Sequence, residues 1–322
     1  MKIKWKEIAL AAFFGLLLPA LILRVFLITA KAPSEPEETT AAMEQGSGDP
    51  LTMRLRHADG TVEEMDMDDY LTGVVLAEMP ASFETEALKA QAVVARTYTC
   101  KALTTGGKHG DGSVCGESTC CQGYVSQADY LAKGGTQDNV EKIAAAVRAT
   151  SGYVLTYEGA LIEATYFSCS GGSTEDAVAV WGTDYPYLRA TDSPGEENAA
   201  HYTDTVTFTA QEFVDKLGLS LTGKPASWLG YVTYTAGGGV ATMEIGGRVF
   251  KGTELRSLLG LRSTAFTMTA GGDSITVTTR GFGHRVGMSQ YGADAMAASG
   301  STYPQILAYY YNGTTLQLWH QN

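Results

Sequence analysis

Lysine and arginine are scarce in this chain, 23 against 35 aspartates and glutamates, for a formal charge of -12 over 322 residues. That imbalance excludes a protein that tracks a phosphate backbone, which concentrates its cations on one face, and it disfavours polyanionic ligands generally. Proline is scarce too, nine residues beside 37 glycines and 17 tyrosines, a balance that favours tight turns and a strand-rich body. Five cysteines is an odd number, so at least one sulfur is free, metal-bound or intermolecular. There is no internal repeat, no Gly-x-Ser-x-Gly elbow and no His-Glu-x-x-His helix motif, which removes the common signatures of serine hydrolases and zinc hydrolases. What remains, 44% hydrophobic and 18% charged, is ordinary globular composition with material for a sizeable core.

One long hydrophobic run is present. Ile8 to Leu23 is uncharged and almost wholly apolar, and through Val25 to Ile28 beyond Arg24 it reaches the length of a bilayer-spanning helix. Lys2, Lys4 and Lys6 flank its start, whereas Lys31 is outnumbered by Glu35, Glu37, Glu38, Glu44 and Asp49 beyond it. The positive-inside rule then puts the N-terminus in the cytoplasm and everything after Lys31 outside. A cleaved signal peptide is the rival, given the small residues Thr29, Ala30 and Ala32. The run is longer than a usual signal-peptide core, so residues 1–30 are read as an uncleaved anchor. Residues 31–50, rich in Pro, Glu, Thr, Ser and Gly, read as a flexible acidic tether, and residues 51–322 as the working domain.

That domain begins with hairpin alternation turning at Asp59-Gly60, then Asp66, Asp68 and Asp69 at the start of a helix that Pro80 ends after Glu78. Ser82 is the candidate cap of a second helix, from Glu84 to about Leu103. A loop from Gly106 to Gly123 and a helix from about Asp138 to Thr150 follow. From Tyr153 the pattern is mainly β, with a hairpin turn at Glu158-Gly159, and two helices, Gln290 to Ala298 and Tyr303 to Tyr311, finish the chain. The order predicts an α+β fold: a helical portion carrying Glu78, docked on a mainly antiparallel β body.

Glu78 is a chemical candidate by position. The negative end of its helix and the neighbours Leu76, Met79 and Phe83 both raise a carboxyl pKa, which suits a general acid. A solvent-facing glutamate at a helix end is the plainer alternative. On the next helix Lys89 and Arg96 lie two turns apart and share a side, where they orient polar groups or are simply solvated. His109, Cys115 and Cys121 stand six apart in the glycine-bearing loop, with Cys120 adjacent. Imidazole and thiolates suit zinc, but no standard finger spacing matches and a disulfide fits equally. Cys100 and Cys169 read as buried thiols. Two polar turns dense in glycine, Tyr166 to Thr174 and Gly281 to Ala293, allow close backbone approach to a ligand.

Four segments resemble the stage II sporulation protein D family: Tyr70-Leu71-Thr72-Gly73-Val74-Val75 through Glu78-Met79-Pro80; Ala87-Leu88-Lys89-Ala90-Gln91 through Arg96-Thr97-Tyr98; the Tyr166 to Thr174 turn; and His284 through Ala293. The order is kept over nearly all of residues 51–322. Arg285 departs from the glycine common after that histidine, which puts the local backbone in question. The resemblance implies a membrane-anchored lytic transglycosylase of peptidoglycan glycan strands, with Glu78 as catalytic acid and base. It implies zinc, in a structural or supporting role, on His109, Cys115 and Cys121. Lys89, Arg96, Tyr98, Tyr166, Ser168, His284, Ser289, Gln290 and Tyr291 become the expected groove residues. It further implies spore engulfment at the mother-cell membrane, beside stage II sporulation proteins P and M. A non-catalytic, wall-binding amidase activator and a zinc hydrolase are the rival functions.

Overall fold

The computed structural model describes residues 51–200 and 202–319, so the expected anchor (residues 1–30) and tether (31–50) lie outside the described residues. Among the described residues no helix is long and apolar enough to cross a membrane. The opening hairpin forms as β1 (Thr52–Arg56) and β2 (Val62–Asp66). Helix α1 (Met67–Glu78) follows directly, its first N–H groups at Asp68 and Asp69 donating to the Asp66 side chain. Before Pro80, Met79 is already extended, as the proline ring requires.

Helix α2 (Thr85–Thr105) is the spine of the domain, buried along most of its length. Ser82 does not cap it. Glu84 holds the cap position without a side-chain bond, and its own N–H donates instead to Asp294 Oδ1 at 2.7 Å, 210 residues away. Local pattern pointed to the nearest hydroxyl, whereas a tertiary contact satisfies the donor.

Strand β3 (Val114–Cys115) pairs in parallel with β1, and α3 (Gln127–Ala132) leads to α4 (Gln137–Arg148), which packs on α1 and α2. Strands β4 (Tyr153–Tyr157) and β5 (Ala160–Leu161) form the expected tight hairpin. Glu158 and Gly159 both take positive φ, 49° and 81°, the turn geometry that matches strand twist. Then come β6 (Tyr166–Phe167) and the short α5 (Ala177–Trp181).

Residues 203–280 build a second core. It consists of β7 (Thr203–Thr209), α6 (Ala210–Leu217), β8 (Leu229–Tyr234), β9 (Val240–Ile245), β10 (Arg248–Lys251), α7 (Gly252–Leu259), β11 (Ala265–Gly271) and β12 (Ser274–Arg280). Two antiparallel sheets, β10-β9-β8 and β11-β12-β7, pack Phe208, Phe213, Phe250, Ile275 and Val277 together with both helices. The chain then returns through β13 (Met288–Ser289), α8 (Gln290–Ala298), α9 (Tyr303–Tyr310) and β14 (Thr315–Leu318). Helices α8 and α9 pack on α2, and β14 pairs with β4. The fold is α+β, but its strands are divided among several small sheets, and β1–β3 and β6–β13 pair in parallel. The C-terminal helices complete the helical core rather than forming a layer of their own.

Arg285 has φ +66°, a conformation costing a non-glycine residue about 1–2 kcal/mol. Its buried guanidinium donates to the carbonyls of Ser170, Ser173 and Gly237, each at 2.7 Å, and pairs with Glu175 at 3.1 Å. The backbone therefore keeps the form a glycine would take, and the side chain ties three segments together.

Candidate functional site

The parallel pair β6–β13 sets Tyr166 beside Met288 and Phe167 beside Ser289. Next to it lies a cavity of about 870 Å³ whose walls include Glu78, Tyr98, Tyr166, Ser168, His284 and Gln290. Glu78 is the last residue of α1 and is half-buried. The Gly123 N–H donates to its Oε1 at 2.6 Å, and the Tyr166 hydroxyl hydrogen-bonds the same carboxyl. Burial pushes the carboxyl above the ordinary glutamate range, outweighing the two hydrogen bonds that pull it down. The direction is the one expected from the sequence, with other groups at hand. Leu76, Met79 and Phe83 belong to the main core, while Gly123 and Tyr166 hold the carboxyl itself. A Cβ at 123 would stand 2.8 Å from Glu78 Oε1, so any larger residue there would push the carboxyl out of this position. Gln122 completes the support: its Nε2 donates to Tyr70 and Thr99, and its Oε1, 3.3 Å from the Tyr166 hydroxyl, shares that group's single proton with Glu78.

Immediately before Gln122 the loop gathers His109, Cys115, Cys120 and Cys121, with their ligand atoms all within 4.8 Å of one another. Cys121 Sγ lies 3.5 Å from His109 Nε2, and Cys120 Sγ 3.9 Å from both His109 Nε2 and Cys121 Sγ. A tetrahedral zinc with Zn–S of about 2.3 Å and Zn–N of about 2.0–2.1 Å has ligand–ligand edges of about 3.6–3.8 Å. The donor set fits that ion, and Cys120 stands where it could serve as the fourth ligand that sequence spacing left open. All five cysteines are unpaired, with Cys100 and Cys169 buried.

A model of the stage II sporulation protein family matches residues 56–157. Stage II sporulation protein D of Bacillus subtilis is 41% identical over 316 residues, covering 94% of this chain and 92% of its own. The chain belongs to the stage II sporulation protein D family. The protein of that name from Bacillus amyloliquefaciens is 41% identical over 266 residues, 81% of this chain and 77% of its own. A Bacillus subtilis protein named amidase enhancer is 32% identical over 304 residues, 76% of this chain and 40% of its own. The segment matched by the stage II sporulation protein model contains Glu78, Tyr98 and all four residues of the His/Cys cluster.

Several residues that the family resemblance assigned to the groove lie elsewhere. Arg96 has no exposed surface: its guanidinium donates to the carbonyls of Val147, Thr150 and Tyr153 and pairs with Asp68 at 2.9 Å. It closes the C-terminal end of α4, because the side of α2 that carries it faces that helix. Arg96→Met is therefore expected to lower stability by about 2–4 kcal/mol, since it strands carbonyls and a half-buried aspartate. Thermal unfolding checks the loss. Lys89 pairs with Glu86 at 2.6 Å and does not line the cavity. Ser289 is buried and caps α8, accepting from the Gly292 N–H. Tyr291 sets its ring against Phe83.

His284 does line the cavity, but its nitrogens are occupied. Nδ1 accepts from the Val286 N–H at 3.1 Å, and the ring also bonds the Tyr166 main chain. Burial and the nearby Arg256 push its pKa down to about 4. The neutral ring, set against Phe167 and Trp181, offers a face rather than a proton. Sequence reasoning passed over Gln122, Gly123 and Trp181. The first two follow directly on the cysteine pair, the one local signal that pointed to them.

Proposed function

We propose that this member of the stage II sporulation protein D family is a lytic transglycosylase that cuts peptidoglycan glycan strands between N-acetylmuramic acid and N-acetylglucosamine. The observation that carries the reading is the half-buried Glu78 carboxyl, with its raised pKa, on the wall of a cavity large enough for a sugar chain. A carboxyl whose pKa is raised by burial holds its proton to higher pH than a free glutamate and can protonate the glycosidic oxygen as the bond to C1 breaks. The resulting carboxylate, facing the Gly123 N–H, takes the proton from the C6 hydroxyl as that oxygen closes on C1. Each proton is accounted for by Glu78, and the product carries a 1,6-anhydro ring. Because the nucleophile belongs to the substrate, the step gains from proximity and no second carboxylate is required.

A second carboxylate, Glu163, does lie on the cavity wall, committed to Lys101 at 2.7 Å. In this reading it is dispensable. Glu163→Gln should retain activity within about threefold, whereas hydrolysis with Glu163 activating water predicts a loss of about 10²-fold or more. Assays of both variants on peptide-stripped glycan test this, with Glu78→Ala expected to release nothing. The relative named amidase enhancer supports one alternative, a wall-binding activator without cleavage. In that case neither variant would differ from the parent, which itself would cut nothing.

The His/Cys cluster is proposed to hold zinc as a structural ion, fixing the loop whose next residues, Gln122 and Gly123, position Tyr166 and Glu78. The protein is further proposed to act in spore engulfment, anchored by residues 1–30 in the mother-cell membrane with its domain outside. Its proposed companions are stage II sporulation proteins P and M, the former supplying glycan freed of its peptides.

A further inference from the structure

In a chain of charge -12, one guanidinium on the cavity wall has no hydrogen-bond or ion-pair partner among the described residues. Of the basic groups on that wall, Lys108 donates to the Cys120 carbonyl. Arg256, on α7, has neither a hydrogen-bond nor an ion-pair partner for its guanidinium among the described residues. Neighbouring arginines are committed elsewhere: Arg248 to Glu254, and Arg262 to Asp204. Arg256 is half-buried, and that burial disfavours its charge. It stands close enough to His284 to act on that ring electrostatically. The cavity floor thus joins a neutral ring shelf, Trp181 and His284, to an unspent guanidinium. A half-desolvated guanidinium without a partner is costly unless an anion completes it, and its planar fork matches a carboxylate.

We infer that Arg256 binds the free lactyl carboxylate of N-acetylmuramic acid and is the residue by which this protein distinguishes peptide-stripped glycan from glycan still carrying peptide. This rests on the proposed reading that the cavity takes a glycan strand. In such a strand the lactyl group is the one ionised substituent of the disaccharide, and attachment of a peptide converts it to a neutral amide. Glucosamine units present nothing for a guanidinium to pair with. Arg256 is assigned specificity only. The proton transfers remain with Glu78.

The test is calorimetric binding by the full-length Glu78→Gln protein, which holds glycan without cutting it. Three ligands are compared: peptide-stripped glycan, the same glycan with its carboxyls converted to methylamides, and peptide-bearing glycan. The expected preference for the free carboxylate over the methylamide is about tenfold, a difference of about 1.4 kcal/mol, and it should shrink with added salt. Adding Arg256→Gln should abolish the preference by weakening only the carboxylate ligand, and Arg256→Lys should restore part of it. Equal binding of carboxylate and methylamide overturns the inference, as does an Arg256→Gln variant that weakens both equally or neither. So does Arg256-dependent binding of peptide-bearing glycan as tight as that of stripped glycan, because the carboxylate would then belong to the peptide. If the Glu78→Gln protein binds none of the three, the glycan reading of the cavity fails and the inference falls with it. Loss of the preference alone leaves that reading standing.

Discussion

Glu78→Gln should reduce glycan cleavage by at least about 10³-fold, toward the upper end of what general acid–base catalysis supplies, while raising the melting temperature at neutral pH. The first effect follows because an amide of nearly the same shape can accept from the Gly123 N–H but can neither deliver nor take up the required protons. The second follows from the sign of the pKa shift. Burial raises the folded-state pKa of Glu78 above its unfolded value, so the stability tied to its proton is full below the unfolded pKa and is lost as pH rises through the folded one. Glutamine has no such titration. The gain in melting temperature should therefore be small in mild acid, grow as pH passes the folded pKa of Glu78 and then level off. A catalytic group held at a cost to stability is expected to behave this way. A variant that lost activity and stability together would indicate a structural role instead.

Losing the proposed zinc should be the other large effect. The protein as isolated is expected to carry about one zinc per chain, measured by atomic emission. Cys121→Ser should lose the ion together with about 3–5 kcal/mol of stability, or about 10 °C in melting temperature for a domain of this size. Activity should fall as well, because Cys121 is covalently continuous with Gln122 and Gly123, which brace Tyr166 and Glu78. Affinity should weaken as pH falls and protons compete for the thiolates. Cys120→Ser should behave like Cys121→Ser if all four side chains are ligands. Cys100→Ser, at a buried thiol outside the cluster, should leave the zinc content unchanged. Metal-free protein with Cys115 joined to a neighbouring cysteine would refute the site.

What the sequence made legible was local. The Asp66 cap, the stop at Pro80, the turn at Glu158-Gly159 and the return of α8 and α9 as helices all rest on chemistry within a few residues. Glu78 and its raised pKa were legible for the same reason, since a helix end and its nearest neighbours suffice to mark it. The parallel pairing of Tyr166–Phe167 with Met288–Ser289 was not, because two-residue strands carry no periodic signal and their partner lies far along the chain. The same limit explains Arg96. Its two-turn spacing from Lys89 was real, but which side of α2 faces solvent depends on α4, and the charge that looked solvated is a buried cap. Ser82 and Asp294 repeat the lesson: a local cap was expected where a distant carboxylate serves. Even spacing singles out His109, Cys115 and Cys121 and leaves Cys120 merely adjacent, yet the loop's turn brings the sulfurs of Cys120 and Cys121 to one imidazole.

If Glu78 drives bond cleavage with the substrate's own C6 hydroxyl as nucleophile, no oxygen from water enters the new ends. Digestion of peptide-stripped glycan in oxygen-18 water, followed by mass spectrometry of the new ends, tests it most directly. Muramic acid ends lighter by one water than a hydrolysis product and free of the heavy isotope, all dependent on Glu78, are expected. Ends that carry oxygen-18 would mean that water is the nucleophile and would contradict it.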